Sequence, residues 1–204
     1  MIVVVDFKMG NIRSITKVFK KLKAKVKTTS NVEEVESADK LIIPGVGHFG
    51  KGMENLQKLN LISCLNMKVQ QQKTPVLGIC LGMQLFSEYG EEGNVRGLGW
   101  ISGKVQRFVF PVSKDNLKVP HMGWNSVKIL KDSLILNKIH SGDSFYFAHS
   151  YYVLCNSSTD VLCRTKYGIE FDAAIQMDNI YGLQFHPEKS HAQGLKIIDN
   201  FISL

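Results

Sequence analysis

Through the first half of the chain, short apolar runs alternate with amphipathic stretches. Strand-like runs are Ile2–Asp6, Lys25–Thr29, Lys40–Ile43 and Pro75–Ile79. Between and after them, apolar positions recur at helical spacing over Asn11–Leu22, Lys51–Lys58, Leu61–Gln71 and Leu81–Tyr89. Such alternation predicts a parallel sheet covered by helices. The second half turns β-rich, with runs at Lys104–Val109, Asn125–Leu130, Ser144–Leu154, Asp160–Arg164, Ala173–Met177 and Ile180–Phe185. One last amphipathic segment, Ala192–Ile202, predicts a closing helix. No repeat, low-complexity tract or linker divides the chain. The expected fold is a single α/β domain over residues 1–204, with a mostly parallel central sheet flanked by helices and added antiparallel strands.

Composition adds bounds. A chain of 204 residues with 44% hydrophobic and 21% charged residues can bury a full core. No stretch approaches the roughly 18 apolar residues of a membrane span. Ile2-Val3-Val4-Val5 ends at Asp6 without a basic lead or a cleavage pattern, so it reads as a strand and not as a signal peptide. The four cysteines (Cys64, Cys80, Cys155, Cys163) form neither a CxxC nor a disulfide-scaffold pattern, which suits a reducing cytoplasm. Net charge is +7, much of it in Lys17, Lys20, Lys21, Lys23, Lys25 and Lys27. Without a recognition motif or interleaved aromatics, these lysines predict a solvated helix face and loop, with an acidic partner surface as the second reading, and no nucleic acid.

Two motifs carry chemistry. Gly78-Ile79-Cys80-Leu81-Gly82 follows an apolar run and precedes a helical pattern. That is the strand, sharp turn, helix order of a nucleophile elbow, with Cys in place of Ser. A thiol there faces the N-terminus of the next helix, whose N–H groups favour the thiolate. Far along the chain stands Gln184-Phe185-His186-Pro187-Glu188. Read as extended chain, with Pro187 forbidding a helix across the site, it puts His186 and Glu188 on one face. A cysteine nucleophile needs a base, and the base needs a group that fixes its tautomer. Cys80, His186 and Glu188 supply those roles.

Other motifs lead nowhere. Gly45-Val46-Gly47-His48-Phe49-Gly50-Lys51-Gly52 matches GxGxxG and nearly matches a P-loop. Gly52 replaces the hydroxyl a P-loop needs, and no acid stands about 20 residues on, where a dinucleotide site wants one. A glycine-rich turn offering N–H groups to an oxyanion fits better. His121, His140, His149 and His191 lack zinc-ligand spacing, so no metal is expected, and His149 and His191 read as polar site or surface residues.

The elbow and the His-Pro-Glu block resemble the triad blocks of class I (triad-type) glutamine amidotransferases. Met9-Gly10-Asn11, Pro44–Gly50, His121-Met122-Gly123-Trp124-Asn125, Tyr146–Tyr151 and His186–Ser190 narrow the resemblance to the glutaminase subunits of imidazole glycerol phosphate synthases, over essentially the whole chain. The resemblance implies a flavodoxin-like fold and hydrolysis of L-glutamine through a thioester on Cys80, with His186 as base and acid and Glu188 as its orienter. It implies oxyanion donors at Leu81 and at the turn holding Val46 and Gly47. It implies glutamine contacts at Gln84, Glu92, His149, Ser150 and Tyr151, with Glu92 meeting the α-ammonium and Glu91 an equally available carboxylate. It implies no cofactor and no metal. The implied partner is a (β/α)₈ synthase subunit that receives the ammonia, in a heterodimer contacted by Asn11, Lys189 and Ser190. Glutaminase activity in that family is weak until the partner docks.

One position departs from the family pattern: Lys8 stands where glycine is common, in the loop at the implied partner face. The same glutaminase chemistry feeding a surface-polysaccharide sugar amidotransferase is therefore a second reading. A non-catalytic scaffold subunit is opposed by the intact Cys80, His186 and Glu188. A Cys hydrolase of the peptidase or glyoxalase type is opposed by the position of the His-Pro-Glu block.

Overall fold

The computed structural model describes residues 1–110 and 117–204. The first half runs β1 (Ile2–Val5), α1 (Ile12–Lys21), β2 (Val26–Thr29), α2 (Val32–Glu36), β3 (Lys40–Gly45), α3 (Phe49–Lys58), α4 (Leu61–Asn66) and β4 (Val76–Cys80). After β4 come α5 (Leu81–Gln84), β5 (Ser87–Gly90), β6 (Val95–Arg96), β7 (Ile101–Arg107), β8 (His121–Ser126) and β9 (Lys128–Ile129). The chain closes with β10 (Ser144–His149), β11 (Tyr151–Cys155), β12 (Val161–Tyr167), β13 (Ile169–Met177), β14 (Ile180–Leu183) and α6 (His191–Ser203).

The central sheet has eight strands in the order β2-β1-β3-β4-β14-β13-β12-β9. Its first five are mutually parallel. The last three continue antiparallel from β14. Apolar runs in the parallel strands are continuous because both faces are covered. Along β1, Ile2 and Val4 pack with Ile15 and Phe19 of α1 and with Ile197 and Phe201 of α6. Val3 and Val5 point the other way, toward Val35 of α2, Leu56 of α3 and Leu61 of α4. Burying each such side chain stabilises the fold by about 1.5–3 kcal/mol. The expected α/β fold, with a mostly parallel sheet and added antiparallel strands, is the one found. Lys17, Lys20 and Lys21 lie on the exposed face of α1. Among the described residues, no helix is long and apolar enough to cross a membrane.

The differences from expectation are local. A helix was expected over Leu81–Tyr89, but α5 stops at Gln84. Met83, Leu85 and Phe86 are all buried, so their helical spacing does not define one helix face. Phe86 packs against Trp100 with ring centroids 4.9 Å apart, and the chain then enters β5, which pairs with β7 in a four-stranded sheet β11-β7-β5-β6. The expected helix Leu61–Gln71 is α-helical to Asn66 and then widens to a π-turn over Met67–Gln71. Two expected strands are each two strands in different sheets. Asn125–Leu130 breaks at Val127, whose N–H donates to Asp143 O. Ser144–Leu154 breaks at Ser150, whose carbonyl accepts from Phe108 N–H. β10 then pairs with β8, and β11 with β7. Helix α2, capped by Asn31, was not expected.

Candidate active site

Cys80 ends β4 with φ 54° and ψ −109°. That conformation is strained for a non-glycine residue by about 1–3 kcal/mol, a cost the surrounding packing must over-determine. The packing is tight enough. At Gly82 an added Cβ would lie 1.7 Å from Ile43 O, so only glycine lets α5 leave the elbow so close to β3. In register, Cys80 lies opposite Gly45 of β3, and Ile79 opposite Leu183 of β14. The thiol therefore stands at the carboxyl ends of three adjacent parallel strands, where open α/β sheets bind ligands.

The strand carrying the base ends at Leu183, and His186 continues extended at φ −99° and ψ 95°. Glu188 does not follow by strand alternation. Pro187 opens a single 3₁₀ turn over Pro187–Lys189, since proline suits a first helical position. That turn folds Glu188 back until His186 Nδ1–H donates to Glu188 Oε1 at 2.8 Å. Both side chains are almost fully buried. His186 Nε2 is left buried without a protein partner, free to exchange a proton at Cys80. Burial opposes charge on His186, but the neighbouring Cys80 and the Glu188 carboxylate outweigh it and push its pKa up to about 10. The arrangement favours a protonated imidazole beside the Cys80 sulfur. Helix α5, four residues long, offers little of the end-of-helix support expected for a thiolate there.

A pocket of about 350 Å³ opens over Cys80, lined also by Val46, Gly47, Leu81, Gln84, Glu92, His149, Ser150 and Tyr151. Gly47, at φ 117°, holds the turn beside Cys80 in a conformation glycine adopts freely. Gln84 Nε2 donates to Tyr151 O at 2.8 Å and to Gln184 Oε1 at 3.1 Å. A carbonyl only accepts, so the amide orientation is fixed. Glu92 Oε2 accepts from Phe49 N–H at 2.7 Å, at the start of α3. Glu91 turns away to Arg107 N–H.

His149 is a core residue as well as a pocket residue. Its Nδ1 lies 2.8 Å from Tyr151 O, and its Nε2 lies 3.1 Å from His121 Nδ1. The carbonyl can only accept, so His149 carries its proton on Nδ1, and His121 Nδ1–H donates to His149 Nε2. Burial pulls both pKa values down, to about 3 for His149 and about 4 for His121, and keeps the pair neutral.

Asn11 and Lys189 are exposed near the site. Asn11 caps α1, and the Lys189 ammonium lies over the Tyr146 ring at 5.4 Å. Ser190 corrects its expected place in a docking surface: it is buried, and its hydroxyl braces the His186 backbone. His191, by contrast, is exposed and stacks on Trp124 at 5.0 Å. Sequence reasoning gave no role to Gln184, Trp124 or Tyr146. The half-exposed Trp124 and exposed Met122 lie on β8, beside Lys189 and Tyr146, and form an apolar patch flanking the triad turn. An exposed tryptophan in a polar strand was the signal available for it.

A cysteine elbow at the carboxyl ends of the parallel strands thus stands with a buried His-Glu pair at one pocket. The model of the family glutamine amidotransferase class-I matches residues 3–204. The chain belongs to that family. It is 46% identical to the imidazole glycerol phosphate synthase subunit HisH 2 of Methanococcus maripaludis, over 99% of this chain and 98% of that protein. It is 47% identical to the imidazole glycerol phosphate synthase subunit HisH 1 of Campylobacter jejuni, over the full length of both. Among solved structures, PurLQS of Thermotoga maritima shares the fold at a TM-score of 0.74 and 15% identity, covering 99% of this chain and 97% of that one.

Proposed function

We propose that this chain is the glutaminase subunit of an imidazole glycerol phosphate synthase, supplying ammonia to a (β/α)₈ synthase subunit. The observation that carries the chemistry is His186, held by Glu188 at 2.8 Å with Nε2 buried and free beside the Cys80 elbow. The Cys80 thiolate attacks the side-chain amide carbon of glutamine. The His186 imidazolium delivers its proton to the departing ammonia and then takes one from the water that hydrolyses the thioester. Backbone N–H groups at Leu81 and the Val46–Gly47 turn receive the oxyanion, where losing one donor costs about 10²–10³ in rate. Gln84 has its amide nitrogen engaged internally, so Oε1 is the atom it offers to the substrate α-ammonium, together with the Glu92 carboxylate.

Full-length identity of 46–47% to proteins named as subunits of that synthase supports the acceptor. Asn11, Lys189 and the Trp124 patch beside the triad turn form the docking face. Gly47 permits the peptide rotation that aims the oxyanion donor when the partner seats, so the lone chain is a weak glutaminase. A second reading keeps the chemistry and changes the acceptor to a surface-polysaccharide sugar amidotransferase. The observation behind it is Lys8, exposed in the docking loop at φ 63° where the family commonly has glycine.

The test is ammonia release from glutamine by this chain alone and with a synthase barrel carrying its nucleotide ligand. The reading predicts low basal release and strong stimulation. Strong release from the lone chain, unaltered by the barrel, contradicts the gating. No stimulation, with Cys80 still alkylated by a glutamine analogue, transfers support to the second acceptor.

A further inference from the structure

We propose that Gln184 is a further catalytic residue, whose carboxamide N–H holds the Cys80 sulfur as an aimed thiolate. The inference rests on the reading of Cys80 as the nucleophile.

Gln184 is fully buried, one residue past the end of β14. A buried carboxamide is costly unless its polar atoms find partners. Its two side-chain partners are Gln84 and Cys80: Oε1 accepts from Gln84 Nε2 at 3.1 Å, and Nε2 lies 3.7 Å from Cys80 Sγ. The orientation is set from outside. Tyr151 O accepts from both Gln84 Nε2 and His149 Nδ1–H, and His149 is held in turn by His121. Gln84 must therefore present N–H to Gln184, and Gln184 must present N–H to sulfur.

A thiol is a poor acceptor, whereas a thiolate takes charge-assisted hydrogen bonds that are roughly twice as strong as neutral ones. Among the described residues His186 Nε2 makes no hydrogen bond, so the side-chain donor to the sulfur is Gln184 Nε2. That contact stabilises the anion before attack and fixes the direction of its lone pair. Gln84 and His149 act through Gln184 and are positioning residues in this chain of bonds.

The experiment is site-resolved alkylation of Cys80 by iodoacetamide as a function of pH, read by mass spectrometry. The other thiols are poor competitors: burial raises the pKa of Cys64, Cys155 and Cys163, the last to about 12. Gln184→Met keeps the volume and removes the donor. It raises the alkylation midpoint by about one pH unit, and it lowers kcat with the synthase barrel while KM for glutamine changes little. Gln184→Glu raises the midpoint further, because a carboxylate then faces the sulfur. Gln84→Leu leaves Gln184 in place but unanchored, and gives a smaller rise that stays readable if the Gln184 variants misfold. A folded Gln184→Met or Gln84→Leu protein with the wild-type midpoint overturns the proposal. Wild-type protein that alkylates normally but releases no ammonia with any acceptor sinks the glutaminase reading and leaves this test standing.

Discussion

Ser190 closes a hydrogen-bonded triangle on His186. Its Oγ donates to His186 O at 2.6 Å and accepts from Tyr146 N–H at 3.0 Å, while His186 N–H donates to Tyr146 O at 2.8 Å. The His186 imidazole is thus fixed through its backbone from β10, the strand paired with the strand that carries Trp124. Whatever seats on that face touches elements that hold the base.

Ser190→Ala removes the buried hydroxyl and leaves the part-buried Tyr146 N–H without its acceptor. The expected loss of stability is about 1–3 kcal/mol, measured by denaturant unfolding. Glutaminase kcat with the barrel falls about tenfold, because small misplacement of a base is costly. Full activity in the variant would show that the triangle does not position His186.

Glu92→Gln separates two roles of one carboxylate. Glutamine retains an oxygen to accept from Phe49 N–H, so α3 keeps its start and the melting temperature barely moves. The charge proposed to meet the substrate α-ammonium is lost. KM for glutamine then rises about tenfold with kcat little changed, the signature of uniform binding. An unchanged KM would remove Glu92 from the binding set and leave it as a helix cap.

The His121–His149 pair makes the fold acid-sensitive, and the sign follows from burial. Both pKa values lie below the unfolded value near 6.5, at about 4 and about 3. The unfolded chain therefore binds protons first, and the pair's contribution, full above about pH 6.5, is lost as pH falls toward 4 and 3. His121→Gln takes one of the two groups out. Its melting temperature, measured from pH 7 to pH 4.5, falls less steeply than that of the wild type. Parallel slopes would contradict the assignment.

Much of the site was legible in the sequence because its determinants are local. Small residues at 78 and 82 around Cys80 permit one kind of turn, and Pro187 punctuates the strand that delivers His186. What escaped depends on distant partners. The apparent helix through Tyr89 becomes β5 because Ser87 and Gly90 find β7, a pairing no local pattern announces. Ser190 looked like a surface serine beside an exposed lysine, and its burial depends on Tyr146, 44 residues away. Gln184 stands in a motif read for its histidine, and its contact with Cys80 emerges only when β14 and β4 lie side by side.

The central claim is that Cys80 is the nucleophile of a partner-activated glutaminase. The most direct measurement is ammonia release from glutamine in the presence of the ligand-loaded synthase barrel, wild type against Cys80→Ala. The account predicts release from the wild type and none above background from the variant. Release by Cys80→Ala at the wild-type rate would contradict it.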